Sequence, residues 1–156
     1  MIIRKATLND LPQIQELNNQ LFELELANFD KHLIKGWPLS PEGKQYFQDA
    51  INQGYVIVAE TKIKKEGASH VVGYLLAEET SIPYYNFKIA ELCNMCVDSQ
   101  YRKQGIGNAL YKEFEKHFTA QGVTRFIVTA SYKNESAKAF YKKMGFEEAN
   151  TTLTKF

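Results

Sequence analysis

At 156 residues, 44% hydrophobic and 13% aromatic, the sequence is long enough for one well-packed core and too short for two, so we expect a single domain over residues 1–156. The 19 Lys and Arg residues against 18 Asp and Glu residues leave a formal net charge of +1, which argues against binding to nucleic acids or membrane surfaces through strong overall charge. The first residues lack the apolar segment of a signal peptide, and no stretch approaches the roughly 18 consecutive apolar residues of a membrane span. We therefore expect a cytoplasmic protein.

The hydrophobic pattern predicts alternating strands and helices along the chain. In chain order the predicted elements are a strand at 2–7, an amphipathic helix ending near 26, a second helix at 41–52, strands at 55–60, 70–79 and 88–97, a helix ending near 122, a strand at 125–130, a helix at 135–144 and a terminal extended segment at 146–156. A polar hairpin turn with several lysines is predicted at 61–69. The order β-α-α-β-β-β-α-β-α-β indicates an α/β sandwich with a mixed sheet.

The strongest chemical signal lies between residues 92 and 117. An apolar run at 92–97 is followed by a short loop that contains Gly105 and Gly107, and Leu110, Phe114 and Phe118 then recur every four positions. This spacing predicts an amphipathic helix with both glycines at its N-terminus. A helix start has unpaired N–H groups and the positive end of the macrodipole, and glycines let a ligand's oxygen atoms approach that backbone. The stretch therefore predicts an anion site, most naturally for a pyrophosphate.

The spacing of the glycines in this loop distinguishes between the known kinds of anion-binding loop. A dinucleotide fingerprint requires a third small residue where Leu110 stands, and a P-loop requires Lys-Ser or Lys-Thr where Asn108 and Ala109 follow Gly107. The R-x-x-G-x-G pattern at 102–107 instead resembles the loop with which the GCN5-related N-acetyltransferase (GNAT) family binds the pyrophosphate of acetyl-CoA. Residues 134–146 resemble that family's second signature, N-x-x-A-x-x-F-Y-x-x-x-G-F, at the usual distance downstream. The resemblance covers residues 92–146.

The resemblance implies a fold and a co-substrate. The fold is a GNAT-like α/β architecture with a mixed, mostly antiparallel central sheet flanked by helices and splayed at the acetyl-CoA site. Acetyl-CoA is the implied co-substrate, and no metal is implied. Its implied binding residues are Met95, Cys96 and Val97 for the pantetheine arm, Arg102, Lys103, Gln104, Gly105, Ile106, Gly107 and Asn108 for the pyrophosphate, and Asn134 and Tyr141 near the second splayed strand. A second interpretation of Asn134 is that it only caps the helix that follows.

The resemblance also implies the chemistry, in which a primary amine of a small molecule or peptide attacks acetyl-CoA directly in a ternary complex. Glu91 is the predicted general base, acting directly or through water, and Tyr141 is the predicted general acid that protonates the departing thiolate. Two interpretations without catalysis stay open. Glu91 would then be a surface charge at the start of its strand, and Tyr141 would pack beside Phe140 and Phe146.

The two cysteines form a C-x-x-C pattern within a predicted strand. Residues three apart on a strand point to opposite faces, so a shared metal or redox site is not expected, and both are predicted to be buried structural thiols. Strict alternation places Glu91, Cys93, Met95 and Val97 on one face and Leu92, Asn94 and Cys96 on the other. The three histidines are isolated in the sequence, and no metal site is predicted.

Other classes of function and several acceptors stay open. A non-catalytic acyl-CoA-binding regulatory module would keep the pyrophosphate loop without the acid and base, and a nucleotide-binding protein would use the glycine turn alone. A tunnel carrying Glu25, Glu78 and Glu79 would suit a cationic amine, whereas a peptide N-terminus would require a groove. The connection at 28–40, which contains Trp37, forms either part of the acceptor wall or a cover over the core. The family also implies a homodimer as one candidate assembly.

Overall fold

Five strands form one sheet in the computed structural model, which describes residues 1–62 and 69–155. They are β1 (Ile2–Lys5), β2 (Tyr55–Lys62), β3 (Ser69–Thr80), β4 (Lys88–Val97) and β5 (Val123–Val128), and they lie in the sheet in chain order. Strands β1 to β4 pair antiparallel, and β5 pairs parallel with β4. The predicted mixed, mostly antiparallel sheet is confirmed. Most of the predicted hairpin turn, at 63–68, lies outside the described residues.

Helices cover both faces of this sheet. Within the described residues they are α1 (Leu11–Asn28), α2 (Pro41–Gln53), α3 (Ile106–Ala120) and α4 (Glu135–Lys143), with short 3-10 turns at Leu8–Asp10, Trp37–Leu39 and Ser99–Tyr101. Over the part of the chain described, no helix combines the length and the apolar character needed to cross a membrane.

Two hydrophobic clusters lie on opposite sides of the sheet because the strand side chains alternate. In β2, Val56 and Val58 pack under α1 and α2, while Ile57 and Ala59 pack under α3. The α3 cluster contains the four-residue repeat that the sequence predicted, with Leu110, Phe114 and Phe118 all buried. Burying such side chains stabilises the fold by roughly 1.5–3 kcal/mol each.

The helix starts follow capping rules that the sequence carries. The Ser40 hydroxyl accepts a hydrogen bond from the Gly43 N–H at 3.1 Å, with Pro41 in the first turn of α2. A Cβ at Gly43 would lie 2.2 Å from the Trp37 carbonyl oxygen, so glycine is required where α2 crosses the preceding turn.

Ion pairs of Arg4 link β1 to the start of α1. The Arg4 guanidinium donates to both carboxylate oxygens of Asp10 at 2.8 Å, and it also pairs with Glu60 on β2. The Asp10 carboxylate accepts the Thr7 N–H at 2.8 Å. Burial opposes the charge of Asp10, but the hydrogen bonds from Arg4 and Thr7 outweigh it and hold the pKa of this carboxyl below its usual range.

The prediction of a sixth strand at the C-terminus is wrong within the described residues. Residues 145–155 follow α4 without joining the sheet, although Phe146 packs against the α3 cluster. The segment has few apolar residues beyond Phe146, and Leu153 is 90% exposed, so there is little apolar surface to hold it on the sheet.

Candidate active site

The sheet opens between β4 and β5. Their parallel pairing runs from Lys88 opposite Val123 to Leu92 opposite Val128, where β5 ends, while β4 continues to Val97. The described backbone groups on this edge of β4 beyond Leu92 therefore have no partner strand. The predicted splay is confirmed, and it leaves N–H and C=O groups available to an extended ligand.

A cleft of about 110 Å³ lies at this opening. The residues that line it are Leu21 and Glu25 of α1, Leu92, Cys93, Asn94 and Met95 of β4, Val128, Thr129 and Ala130 at the end of β5, and Asn134, Ala137 and Tyr141 at α4. Three predicted site residues, Met95, Asn134 and Tyr141, therefore share one cleft. Two other predicted pantetheine residues, Cys96 and Val97, follow Met95 along the same edge.

A β-bulge at Cys93 overturns the predicted alternation of β4. In the pairing with β3, Leu76 lies opposite Asn94 but Ala77 lies opposite Leu92, so Cys93 is an extra residue. After the bulge Met95 and Val97 pack on the same side as Leu92, in the α3 cluster. The prediction that Leu92 and Met95 face opposite sides is therefore wrong.

The same bulge brings both cysteines to one face. Cys93 and Cys96 pack in the cluster under α1 and α2, so the sequence argument that strand alternation separates them is wrong. Both are free thiols, Cys96 buried and Cys93 half-buried. Among the described residues, no group of three or more His, Cys, Asp and Glu side chains is arranged to hold a metal ion.

The loop before α3 has the geometry that an anion requires. Gly105 has φ of 82° and is the N-cap of α3, with no side chain capping the helix. The first helical bond runs from the Ala109 N–H to the Gly105 carbonyl at 3.0 Å, which leaves the N–H groups of Ile106, Gly107 and Asn108 without helical partners. These donors point out of a helix N-terminus, where negative charge is favoured.

Two contacts hold this loop beside β4 and α4. The Arg102 Nε donates to the Val97 carbonyl at 3.0 Å, which fixes the guanidinium at the end of β4 and leaves further N–H donors. A Cβ at Gly107 would lie 3.6 Å from ring carbons of Phe140 and 3.9 Å from Val97 Cγ2. Gly107 therefore lies where α3, α4 and β4 meet. Lys103 has φ of 61°, which is unusual for a residue with a side chain.

Tyr141 lines the cleft, and its ring is packed between two phenylalanines. The ring lies edge-on to Phe140 and Phe146, with centroids 5.3 Å and 5.6 Å away. Burial raises the pKa of Tyr141 to about 12, so the phenol is protonated at neutral pH. No described residue accepts a hydrogen bond from this hydroxyl, which therefore can donate to a ligand. The predicted packing of the ring and a proton-donating hydroxyl are compatible.

Asn134 and Glu25 meet across the cleft. The Asn134 Oδ1 accepts the Ala137 N–H at 3.0 Å and so caps α4, while its contact with the cofactor stays a prediction. The Asn134 Nδ2 makes a long hydrogen bond of 3.5 Å to Glu25 Oε1. Burial raises the pKa of Glu25 above its usual range, Asn134 opposes the rise, and Asp30 adds to it.

The other candidate carboxylates lie outside the cleft. Glu91 stands opposite Glu78 on β3, and both lie near the Cys93 thiol. Burial, with these two carboxylates, raises the pKa of Cys93 to about 12. Glu79 pairs with Lys88 at 3.3 Å. The structure therefore separates the three glutamates of the expected tunnel and leaves Glu25 alone in the cleft.

The connection at 28–40 covers the core. Trp37 stacks on Phe22 at 5.7 Å between ring centroids, and the Gln15 amide donates to the Pro38 carbonyl at 2.7 Å. None of its described residues lines the cleft. This supports the interpretation of the loop as a cover over the core.

Sequence reasoning missed a hydrogen-bonded group of three polar side chains centred on the buried Asn18. The Asn18 Nδ2 donates to the Tyr74 hydroxyl at 2.7 Å and to Asn94 Oδ1 at 3.1 Å, and Asn94 lines the cleft. Helical spacing could have indicated that Asn18 is buried, because Asn18 follows the buried Ile14 by four residues and so lies on the core-facing side of α1. A polar residue on such a stripe requires a buried partner.

Comparison with known proteins gives one family. The model of the family described as Acetyltransferase (GNAT) matches residues 14–146. A 60-residue stretch is 35% identical to the [ribosomal protein bS18]-alanine N-acetyltransferase of Escherichia coli (strain K12), covering 38% of this chain and 40% of that protein. The chain spans about two fifths of the length of the curated relatives it matches.

Solved structures share the fold over nearly the whole chain. A variant of the BH1408 protein from Bacillus halodurans has a TM-score of 0.84 at 23% identity, covering 99% of this chain and 98% of that one. The aminoglycoside acetyltransferase meta-AAC0020 from an uncultured soil metagenomic sample, in complex with sisomicin, has a TM-score of 0.71 at 24% identity, with 99% and 95% covered. At these identities the likeness shows the fold alone.

Proposed function

The chain belongs to the GNAT family of acetyltransferases, and from this premise we propose that it transfers the acetyl group of acetyl-CoA to a primary amine of a small molecule or peptide. The observation that carries the proposal is that the unpaired edge of β4 and Tyr141 line the same cleft. An acyl donor held along that edge would place its thioester beside a proton donor.

The cofactor assignment follows the open edge of β4. Pantetheine carries amides that match the backbone groups from Met95 to Val97. At the end of this strand, the N–H groups of Ile106, Gly107 and Asn108 would hold the pyrophosphate, with charge from Arg102 and Lys103 and with Gln104 and Gly105 in the same loop. Asn134 would contact the bound cofactor from the other side of the cleft.

The proposed reaction is direct attack in a ternary complex. The amine nitrogen forms a bond to the thioester carbonyl carbon, and the carbon–sulfur bond breaks as the tetrahedral intermediate collapses. Tyr141 gives its proton to the departing sulfur and is reprotonated from solvent. The attacking nitrogen loses a proton to Glu91 through water, since Glu91 does not line the cleft.

The state of Cys93 supports direct attack over an acyl-enzyme. This thiol lines the cleft, where it could in principle accept the acetyl group. Its pKa of about 12, raised by burial and by Glu78 and Glu91, keeps it protonated at neutral pH. Because the thiolate is the nucleophilic form, Cys93 is a poor acetyl carrier.

Two measurements test the proposal. Calorimetric titrations with acetyl-CoA, ATP and NAD test which cofactor the protein binds. We expect binding of acetyl-CoA and no binding of ATP or NAD. Release of the CoA thiol is then followed with a panel of alkyl amines, diamines, aminosugars and peptides with an N-terminal alanine. Transfer to at least one amine is expected. Acetyl-CoA binding without transfer to any of them would indicate the alternative function, a non-catalytic acyl-CoA-binding regulatory module.

A further inference from the structure

Glu25 is the one charged side chain among the described residues that line the cleft. It lies in the last turn of α1, faces Asn134 at the N-terminus of α4, and lines the same cleft as Tyr141. The cleft is otherwise lined by apolar and neutral polar groups. A single carboxylate in such surroundings favours a cation as its partner.

We infer that Glu25 binds the ammonium group of the acceptor and takes its first proton, so that the acceptor is a cationic alkyl amine. The inference deepens the proposed function and rests on it. An alkyl ammonium has a pKa near ~10 and is almost wholly protonated at neutral pH, so it must lose a proton before its nitrogen can attack. The group that accepts this proton must lie within hydrogen-bond reach of the ammonium, directly or through one water.

The surroundings of Glu25 suit this role. The Asn134 amide donates to Oε1 and orients the carboxylate, while the second oxygen has no partner among the described residues. The titratable groups around it are Asp30 beyond the end of α1, Cys93 on β4 and Tyr141 on α4. None of the three is a cation, so an arriving ammonium would meet no competing positive charge there.

The other carboxylates near β4 are less suited to the first proton. Glu91 and Glu78 stand outside the cleft near Cys93, and Glu79 is occupied by Lys88. With Glu25 at the ammonium, the protons balance. The ammonium gives one proton to Glu25, the attacking nitrogen gives another through water to Glu91, and both carboxylates pass these protons to solvent. The sulfur takes one from Tyr141, which solvent restores, so one proton is released per acetyl group transferred.

The test compares Glu25→Gln with Glu23→Gln. Both variants remove one carboxylate from the same helix, but Glu23 is exposed and contacts only Asn19 among the described residues, at 3.4 Å. For the panel amine with the highest turnover, kcat/KM of Glu25→Gln is expected to fall roughly 100-fold, the usual worth of a general base. The loss should be greatest where Glu25 is ionised and the amine is protonated, and it should shrink at acid pH as Glu25, whose pKa is raised by burial, takes up a proton. Glu25→Asp should recover part of the activity.

Three readouts separate the outcomes. Calorimetric affinity for acetyl-CoA should match wild type in both glutamine variants, which shows that the fold and the cofactor site are intact. If Glu25→Gln acetylates the amine as well as Glu23→Gln across pH 6 to 9, the inference about Glu25 is wrong while the proposed function stands. If the wild-type protein transfers acetyl to no amine, both are wrong.

Discussion

The amide of Asn134 reaches the carboxylate of Glu25 at 3.5 Å and so joins the N-cap of α4 to the last turn of α1 across the cleft. One side chain thus has two tasks, since its Oδ1 caps α4 and its Nδ2 orients the cleft's carboxylate. The two tasks can be separated by substitution.

Asn134→Ser should keep the cap and lose the contact to Glu25. Serine is as good an N-cap as asparagine, so the melting temperature should stay close to that of wild type, whereas Asn134→Ala should lose about 1 kcal/mol of unfolding free energy. Both variants should raise KM for the amine, as measured by CoA release. An unchanged KM in the serine variant would leave Asn134 a helix cap alone.

Tyr141→Phe should lower turnover at least ~10-fold, because general acids are typically worth about 100-fold. The ring and its contacts to Phe140 and Phe146 are kept, so affinity for acetyl-CoA should hardly change. Since the pKa of Tyr141 is about 12, wild-type kcat should show no alkaline decline attributable to this group below pH ~10. Wild-type turnover in the variant would make solvent the proton source.

Gly105→Val should weaken acetyl-CoA binding by more than tenfold, whereas Gly122→Val should leave it unchanged. The two glycines have φ of 82° and 83°, and a Cβ at either would meet nothing within 4 Å. Each substitution should therefore cost a similar ~1–2 kcal/mol of backbone strain. Only Gly105 precedes the N–H groups that would hold the pyrophosphate.

Calorimetry and thermal melts of the two variants check this prediction together. Equal loss of stability with unequal loss of affinity is the expected pattern. Equal affinity in both variants would remove the pyrophosphate from this loop. Gly107 differs from both, because a Cβ there would make only ordinary contacts and its φ is not in the left-handed region.

Asp10→Asn should lower the free energy of unfolding by roughly 1.5–3 kcal/mol, the usual worth of hydrogen bonds to charged groups. Arg4 would lose its bidentate carboxylate partner and keep Glu60 and the Lys5 carbonyl. Because the folded-state pKa of Asp10 lies below its unfolded value, its contribution is fully present above pH ~4 and is lost as pH falls through the folded pKa. Urea unfolding of both proteins between pH 2 and 7 measures the difference, which should shrink at the acid end.

Most element boundaries could be predicted from the sequence, because they depend on local signals. Strand β4 was predicted with the bounds Lys88 and Val97 that the structure has, and α2 and α4 differ by one residue at their ends. The two family motifs also predicted Tyr141 and the uncapped start of α3 at the site. These features follow from periodicity, capping and glycine placement within short stretches.

Features that depend on pairing between distant strands could not be predicted. The bulge at Cys93 arises from the register of β4 against β3, which no residue of β4 specifies alone. The same bulge places Cys93 and Cys96 on one face of the sheet. The sequence predicted Glu25, Glu78 and Glu79 equally as carboxylates of an acceptor tunnel. Only the packing of α1 beside the opening of the sheet distinguishes Glu25 from the other two.

The open edge of β4 also bears on strand addition by a second chain. An exposed strand edge with free N–H and C=O groups is a template on which a second chain can add a strand and begin to aggregate. Here the free stretch is the part of β4 beyond the end of β5, and Leu21, Glu25 and Tyr141 are among the residues that line the cleft beside it. A single extended arm such as pantetheine would pair with the same N–H and C=O groups. A ligand arm bound along β4 would therefore also cover a strand edge to which a second chain could otherwise add a strand.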